Sequence, residues 1–530
     1  TSLGLSTINA RVLSRGTFNQ DRGQWLVSGR GWYPDVVLDA SNAVAEVLLT
    51  DYYDLLAKVD HRLGVRSHLS ADVLIAYDDL GFASGDEAET ERVRARYRSH
   101  HLWFNLGTEW SSQLYSRTVL SSGRVGRDRK GSVNDIEEGT LDVLDDRRFI
   151  FVGLKQDWSL EVNDHHLLRW GFDVKRQAVD YDYARLAVIT DPEVVGEGEP
   201  IVEETVVTIA PEGESYGAYM SDRFRLGEHM VAELGLRWDK QHWTDDDQIS
   251  PRLNLRCSVG PRSTARVAWG RFHQSQRLNE LQIEDGVTAF RPAQSAEHWL
   301  ASFEHRFARG PAVRIELYHK QMEDLTPRYE NLFNPIELFP EAQNDRVRVA
   351  PDWARARGLE LLVKEDGGGS VTWWLSYALA KAEDEIAGEM VPRSWDQRHA
   401  ASFGLNLELP RAWNLNLAGS FHTGWPTTAV TGEVVGWEEG EPVIELVRGP
   451  RNRERYPSYV RFDLRMSKVW TSTLGDITAI LEVVNLANRA NVCCVDDFVP
   501  IVNDDGSVDV IREEGYWVPI VPSVGVRWQF

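Results

Sequence analysis

The sequence predicts an all-β protein, a transmembrane antiparallel β-barrel of about 21 strands. Three observations carry that expectation. Apolar residues alternate strictly with polar ones along many segments. Long acidic connections alternate with tight turns along the chain. Twenty tryptophans stand against five methionines, and the chain stops at an aromatic residue in strand register, Phe530.

The C-terminal element is the clearest. Val524, Val526, Trp528 and Phe530 share one face, and Ser523, Gly525, Arg527 and Gln529 share the other. A closing strand that is apolar toward lipid and polar toward a lumen reads this way. The same period recurs in Val460, Phe462, Leu464 and Met466 against Arg461, Asp463, Arg465 and Ser467. It recurs again in Phe403–Leu409, Trp413–Leu417 and Val313–Tyr318, and no segment keeps a capped 3.6 period. Counting back from Phe530 places strands near 518–530, 474–488, 456–470, 411–425, 395–410, 368–383, 351–366, 311–327 and 294–308. Long polar connections fall at 489–517, 426–455, 384–394, 328–350 and 275–293, then near 184–208, 128–146, 81–92 and 34–49. Tight turns fall between them, near 471–473, 410–411, 367, 309–310, 260–261, 225–228, 160–163, 110–111 and 64–66. Long loops on one rim and short turns on the other suit an outer-membrane barrel. An odd count of about 21 leaves unpaired edges, as though one strand preceded Thr1.

Composition agrees by exclusion. Of 530 residues, 42% are hydrophobic, too many for a disordered chain, and 26% are charged, too many for a helical membrane bundle. No apolar run approaches the roughly 18 residues of a spanning helix. The balance of 58 basic and 81 acidic residues, a net charge of −23, disfavours nucleic acid as a partner. Three cysteines exclude a disulfide framework. Aromatic rings favour the headgroup layer, so Trp25, Trp32, Trp103, Trp158, Trp413, Trp470 and Trp528 are expected in two girdles.

Several segments resemble barrel signatures of the TonB-dependent receptors. They are Gly235-Leu236-Arg237-Trp238-Asp239, Ser250-Pro251-Arg252-Leu253, Trp269-Gly270-Arg271-Phe272 with Asn279-Glu280-Leu281, Trp395-Asp396-Gln397-Arg398-His399, and Val484-Asn485-Leu486-Ala487-Asn488. The resemblance covers nearly the whole chain but only the family's barrel. It implies a barrel of the 22-stranded receptor type, with residues 1–530 forming one barrel domain whose plug and first strand lie upstream of Thr1. It also implies outer-membrane lipid and lipopolysaccharide as surroundings, a small-molecule ligand, and coupling to the TonB complex through the missing N-terminal region.

No enzyme constellation is present: no Gly-x-Ser-x-Gly elbow, phosphate loop or His-Glu-x-x-His motif. No cofactor is expected. His100-His101 and His165-His166 are strand neighbours pointing to opposite faces, so no metal site is expected there. Cys493-Cys494 reads as two free or separately paired thiols, a vicinal disulfide being strained. The acidic groups 245–247, 383–385, 438–441, 496–497 and 504–505 read as solvated loop residues. Arg328, Tyr329 and Asn331 mix cation, aromatic and amide as a ligand-contact loop does, and Trp425 beside Pro426 is the fourth candidate. The leading expectation is an active uptake receptor for a siderophore, vitamin, saccharide or metal chelate. The alternatives are a passive porin of the same class and a soluble β-rich adhesion or carbohydrate-binding protein.

Overall fold

The computed structural model describes residues 1–33, 47–85, 89–135, 139–190, 199–365, 367–438, 441–503 and 505–530. Twenty-two antiparallel strands form one closed ring. The first nine are β1 (Ser2–Ser6), β2 (Asn9–Phe18), β3 (Gly23–Trp32), β4 (Val47–Leu63), β5 (Ser67–Gly85), β6 (Glu89–Glu109), β7 (Leu114–Asp135), β8 (Gly139–Glu161) and β9 (His166–Ile189). The next seven are β10 (Glu212–Leu226), β11 (Met230–Gln241), β12 (Asp246–Gly260), β13 (Ser263–Gln274), β14 (Gln294–Arg306), β15 (Ala312–Glu323) and β16 (Trp353–Glu365). The last six are β17 (Val371–Ile386), β18 (His399–Leu409), β19 (Trp413–His422), β20 (Tyr459–Ser472), β21 (Gly475–Val484) and β22 (Val521–Gln529).

The count of 22 corrects the expected 21, and the ring closes without a strand from upstream. β1 pairs with β2 (Leu3↔Val12) on one side and with β22 (Leu3↔Trp528) on the other. The Thr1 amino group donates to the Phe530 carbonyl at 2.8 Å, and Phe530 N donates back to Thr1 O at 3.0 Å. The unpaired edges expected from an odd count are therefore filled. β1 escapes a periodicity count because its five residues are about half of a spanning strand. It reads as the start of β2, with only Thr7-Ile8 between them.

Alternation builds the wall. On β8, Leu144, Ile150, Val152 and Leu154 are exposed, while Val143, Asp145 and Arg147 face inward and are buried. Lower on the inner face, Lys155 pairs with Asp157 at 3.3 Å. Outward tryptophans stack where a girdle is expected: Trp158 on Trp110 and on Trp170, each at 6.1 Å. Lys468 lies over both Trp413 and Trp470. Trp103 is a correction, because it shares the lumenal face of β6 with Asn105 and stacks on His101 at 5.5 Å. Trp32 likewise shares the face of Arg30, whose partners are Asp54 and Tyr52. Position near a strand end does not choose the face; parity does.

Segments 81–92, 128–146 and 184–208 were expected as loops, yet most of each is strand. β7 and β8 pair from Leu114↔Leu160 up to Asp135↔Gly139. At 23 residues β8 spans roughly 75 Å, a little over twice a tilted bilayer crossing. Above the apolar belt the outer face has no reason to be apolar, so charge on both faces resembles a loop. Arg94 and Arg96 there pair with Asp79 at 2.7 and 3.4 Å. A further strand, Ile201–Ile209, pairs only with the upper part of β9, and Glu389–Pro392 only with the upper end of β17. The 34–49 connection and the acidic residues Glu439 and Asp504 fall at least partly outside the described residues.

A candidate ligand gate across the mouth

The long connections do not stand free; two of them fold inward across the mouth. The β13–β14 connection carries a single 3-10 turn, Ile283–Asp285. The β15–β16 connection carries a small hairpin, Arg328–Asn331 paired with Arg346–Val349, and a second turn, Pro340–Ala342. Together they form a cap.

One side of the cap seals against the inner wall of β6 to β9. Leu278, Leu281, Ile283 and Phe339 are buried against Val93, Val143, Val179, Tyr181 and Tyr183. Gly131 on β7 makes room, since a Cβ there would lie 2.9 Å from the Phe339 ring. The Tyr181 hydroxyl donates to Leu278 O at 2.7 Å and accepts from Leu281 N at 3.2 Å. At the centre of this seam Asp145, with no side-chain exposure, accepts from Arg127 (2.7 Å), Arg129 (2.6 Å) and Arg147 (2.7 Å). Arg129 continues to Glu341 at 2.8 Å and Arg147 to Glu284 at 2.5 Å. Each buried apolar side chain contributes about 1.5–3 kcal/mol. A buried ion network is close to neutral against an apolar replacement, but costs about 3–5 kcal/mol when one partner is lost. Apolar contact therefore attaches the cap, and the ions set where it sits.

The other side packs on the last two long connections. Phe333, Tyr456 and Val495 form a buried cluster with Trp425, Val430, Val492 and Phe498 around them. The Phe333 carbonyl accepts from Tyr456 Oη at 2.9 Å and from Val495 N at 3.2 Å. In the middle, Arg328 and Arg393 both bind Asp384, at 2.6 and 2.8 Å, and Arg328 and Arg451 both bind Glu330. Arg346 holds Asp285 through two bonds of 2.6 and 2.5 Å, joining the two cap connections.

Three of the four candidates from sequence thus lie together at the cap centre. Arg328 is held by Asp384 and Glu330. Arg346 lies 5.9 Å over the Tyr329 ring. Asn331 is buried, donating to Pro340 O at 3.0 Å and accepting from Arg346 at 2.9 Å. Trp425 sits apart, stacked on His422 at 5.9 Å and edge-on to Trp517 at 6.3 Å. Its indole Nε1 is buried without a partner. Asp145, Arg129, Arg147, Glu284, Glu341 and Tyr456 were not singled out from sequence. The available signal was charge at i and i+2 in Arg127/Arg129 and Asp145/Arg147, which marks one strand face. The acidic group 383–385 also needs correction as a solvated loop. Glu383 and Asp384 are 3% and 2% exposed, and Glu383 is held by Arg355 and Lys381. Cys493 and Cys494 are free thiols, both buried. Among the described residues no group of three or more His, Cys, Asp or Glu is placed to hold a metal.

Below the cap, the inner wall of β16 to β22 lines a groove of about 850 Å³ with Lys364, Trp374, Asn406, Asn416, Asp463 and Glu482. Charged and amide side chains there stand beside the Trp374 ring and Leu362, so the lining is mixed. The sequence profile described as "TonB dependent receptor-like, beta-barrel" matches residues 9–486. The chain belongs to the TonB-dependent receptors. No curated protein matches it by sequence. Among solved structures, this receptor resembles the unliganded ferric citrate transporter FecA at TM-score 0.63 and 13% identity, over 100% of this chain and 78% of that one. It resembles the siderophore receptor PiuA from Acinetobacter baumannii at TM-score 0.66 and 10% identity, over 100% and 81%. The FpvAI–pyocin S2 complex gives 0.67 and 10%, over 100% and 72%. At such identities the likeness is one of fold.

The receptor's cap also holds acids in an unusual state. Burial, then the charges of Glu91, Asp496 and Asp345, push the Glu337 carboxyl up to about 7. Burial also raises Asp345 and, against its Arg346 partner, Asp285. A carboxyl with a raised folded pKa favours the closed form while protonated and opposes it once ionised. This contribution to cap closure should therefore be lost as pH rises from about 4.5 to about 7. Hydrogen-exchange protection across 332–345, corrected for the intrinsic rate at each pH, is expected to fall over that window, and Glu337→Gln to lessen the fall. An exchange rate in the variant that follows pH as steeply as wild type would contradict this.

Proposed function

We propose that this chain is the barrel of an energy-coupled uptake receptor in the outer membrane of a Gram-negative bacterium, carrying a scarce solute inward. The observation that carries the reading is the capped mouth on a closed ring of 22 strands. A passive channel has no use for a mouth sealed by two apolar clusters and a buried ion network. A gated receptor does, because binding must precede passage. The apolar outer face and the aromatic girdles would meet outer-membrane lipid, and the polar upper wall the lipopolysaccharide headgroups.

Ferric chelates are the favoured solute class. This rests on likeness to structures titled ferric citrate transporter, ferric preacinetobactin receptor and ferric-catecholate import receptor. On this reading residues 1–530 are one barrel domain. A plug preceding Thr1 would fill the lumen and carry the contact with TonB. Arg328, Tyr329, Asn331 and Trp425 are the proposed ligand contacts. The first three would be freed when the cap shifts, and the buried, unpartnered Trp425 indole would gain a donor role once the same movement uncovers it. Transport by conformational gating asks nothing of a catalytic group, and the reading includes neither enzyme activity nor nucleic acid.

The test is uptake of labelled ferric chelates by a deletion strain complemented with the whole gene. Uptake should be abolished by a protonophore and by loss of TonB. Cells carrying residues 1–530 alone should show no energy-dependent uptake. Uptake that survives the protonophore would sink the active reading.

A further inference from the structure

The β21–β22 connection contains a hairpin, Val492–Val502 paired with Val508–Tyr516, that begins with Cys493-Cys494. Neighbours on a regular strand point to opposite faces and cannot meet. Here the register shifts twice, between Val492 and Cys494 and again between Val495 and Asp497. These bulges bracket the pair, and both thiols turn inward, each 3% exposed. They converge on Gly515, the cross-strand partner of Cys494. A Cβ at Gly515 would lie 2.5 Å from the Cys494 sulfur and 3.3 Å from the Cys493 sulfur. Only glycine leaves room for the two sulfurs side by side. The next residue, Val495, is buried in the second cap cluster and donates its N–H to Phe333.

We propose that Cys493 and Cys494 form a vicinal dithiol that closes to a disulfide by exchange with an external disulfide, and that this covalent state sets how firmly the hairpin holds the cap. The Cys493 thiol is pulled down by its hydrogen bond with Cys494, while that contact and burial push the Cys494 thiol up. Cys493 is therefore the first nucleophile. Its thiolate attacks one sulfur of a donor R–S–S–R, forming a mixed disulfide and releasing RS⁻. Cys494, on losing its proton, attacks the Cys493 sulfur and expels the second RS⁻. One S–S bond forms in the protein and one breaks in the donor. Two electrons pass to the donor, which leaves as two thiols after taking up the two protons. Adjacent residues lie about 3.8 Å apart at Cα, nearer than the roughly 4.4–6.8 Å of most disulfides. Such a bond is easily reduced again, which suits a switch more than a staple. Exchange requires the hairpin to open, so its rate follows local opening.

The inference rests on the cap geometry and is independent of the uptake reading, because its readouts need no transport. The full chain in detergent, with Cys257→Ser to remove the third thiol, is equilibrated with oxidised or reduced glutathione, and free thiols are then alkylated. After oxidation, the peptide spanning 492–502 should be lighter by two hydrogens and unalkylated; after reduction, it should carry two alkyl groups. Hydrogen exchange at Val495 and across 328–349 should differ several-fold between the two states, and the difference should vanish in Cys493→Ser. Two alkylatable thiols after oxidation, stable glutathione adducts, or identical exchange in both states would each overturn the proposal.

Discussion

Asp145→Ala is expected to release the wall side of the cap while the barrel itself stays closed. Asp145 has no side-chain exposure and faces three guanidinium groups, so its removal strands Arg127, Arg129 and Arg147 with only Glu341 and Glu284 between them. Loss of one partner from a buried network costs about 3–5 kcal/mol. That cost is comparable with what two buried cap side chains contribute at about 1.5–3 kcal/mol each, enough to loosen the seam, whereas the ring is held by continuous pairing from β1 to β22. Hydrogen exchange over 278–285 and 338–342 should therefore rise steeply. Heat-modifiable gel mobility, which reports the closed barrel, should not change. Arg129→Met with Glu341→Leu, which removes opposite charges together, should cost far less. Equal damage from both variants would mean that the network does not set the cap's position.

Excising 328–349 and joining the ends with a short Gly/Ser linker should convert the chain from a silent barrel into a conducting one. Barrels of 22 strands enclose a lumen wide enough to need plugging. Within the described residues it is the cap that spans the mouth, with Phe333 anchored on one side and Phe339 on the other. The lumen below it is lined by Lys364, Asn406, Asn416, Asp463 and Glu482 beside the Trp374 ring. Planar bilayer recordings of residues 1–530 with and without the excision measure this directly. Equal conductance would show that the cap does not obstruct the path.

How much of this could be read from residues alone differs by level. The strand positions 294–306, 312–323, 353–365, 399–409 and 413–422 each lie close to the spans that period two marks out. Where one face meets lipid and the other water, alternation is written into composition. Where that contrast is absent, strands are hidden in the sequence. The upper parts of β5 to β9 carry charge on the outer face as well, as Arg94, Arg96 and Asp79 do, and so resemble loops in sequence. β1 is too short to show a period at all. Trp103 and His101 share a lumenal aromatic stack that their position near a strand end did not suggest.

The candidate site was legible only in part. Arg328, Tyr329 and Asn331 do lie together at the cap centre, yet beside Pro340 and Arg346 of their own connection they meet Gln282 from the other cap connection and Asp384 from the upper end of β17. Sequence by itself determined the barrel class, the alternation of long connections with tight turns, and the family. It could do so because each follows from local contrast repeated along the chain. The tertiary structure alone decided that the ring closes at 22, that two connections fold inward, and that Asp145 gathers three arginines beneath them. The closure joins Thr1 to Phe530, and the cap reaches Arg129 and Arg147 from 212 and 134 residues away, distances that no local pattern records. Asp145 and its arginines are near in sequence, but only strand pairing and the cap above them bury the group.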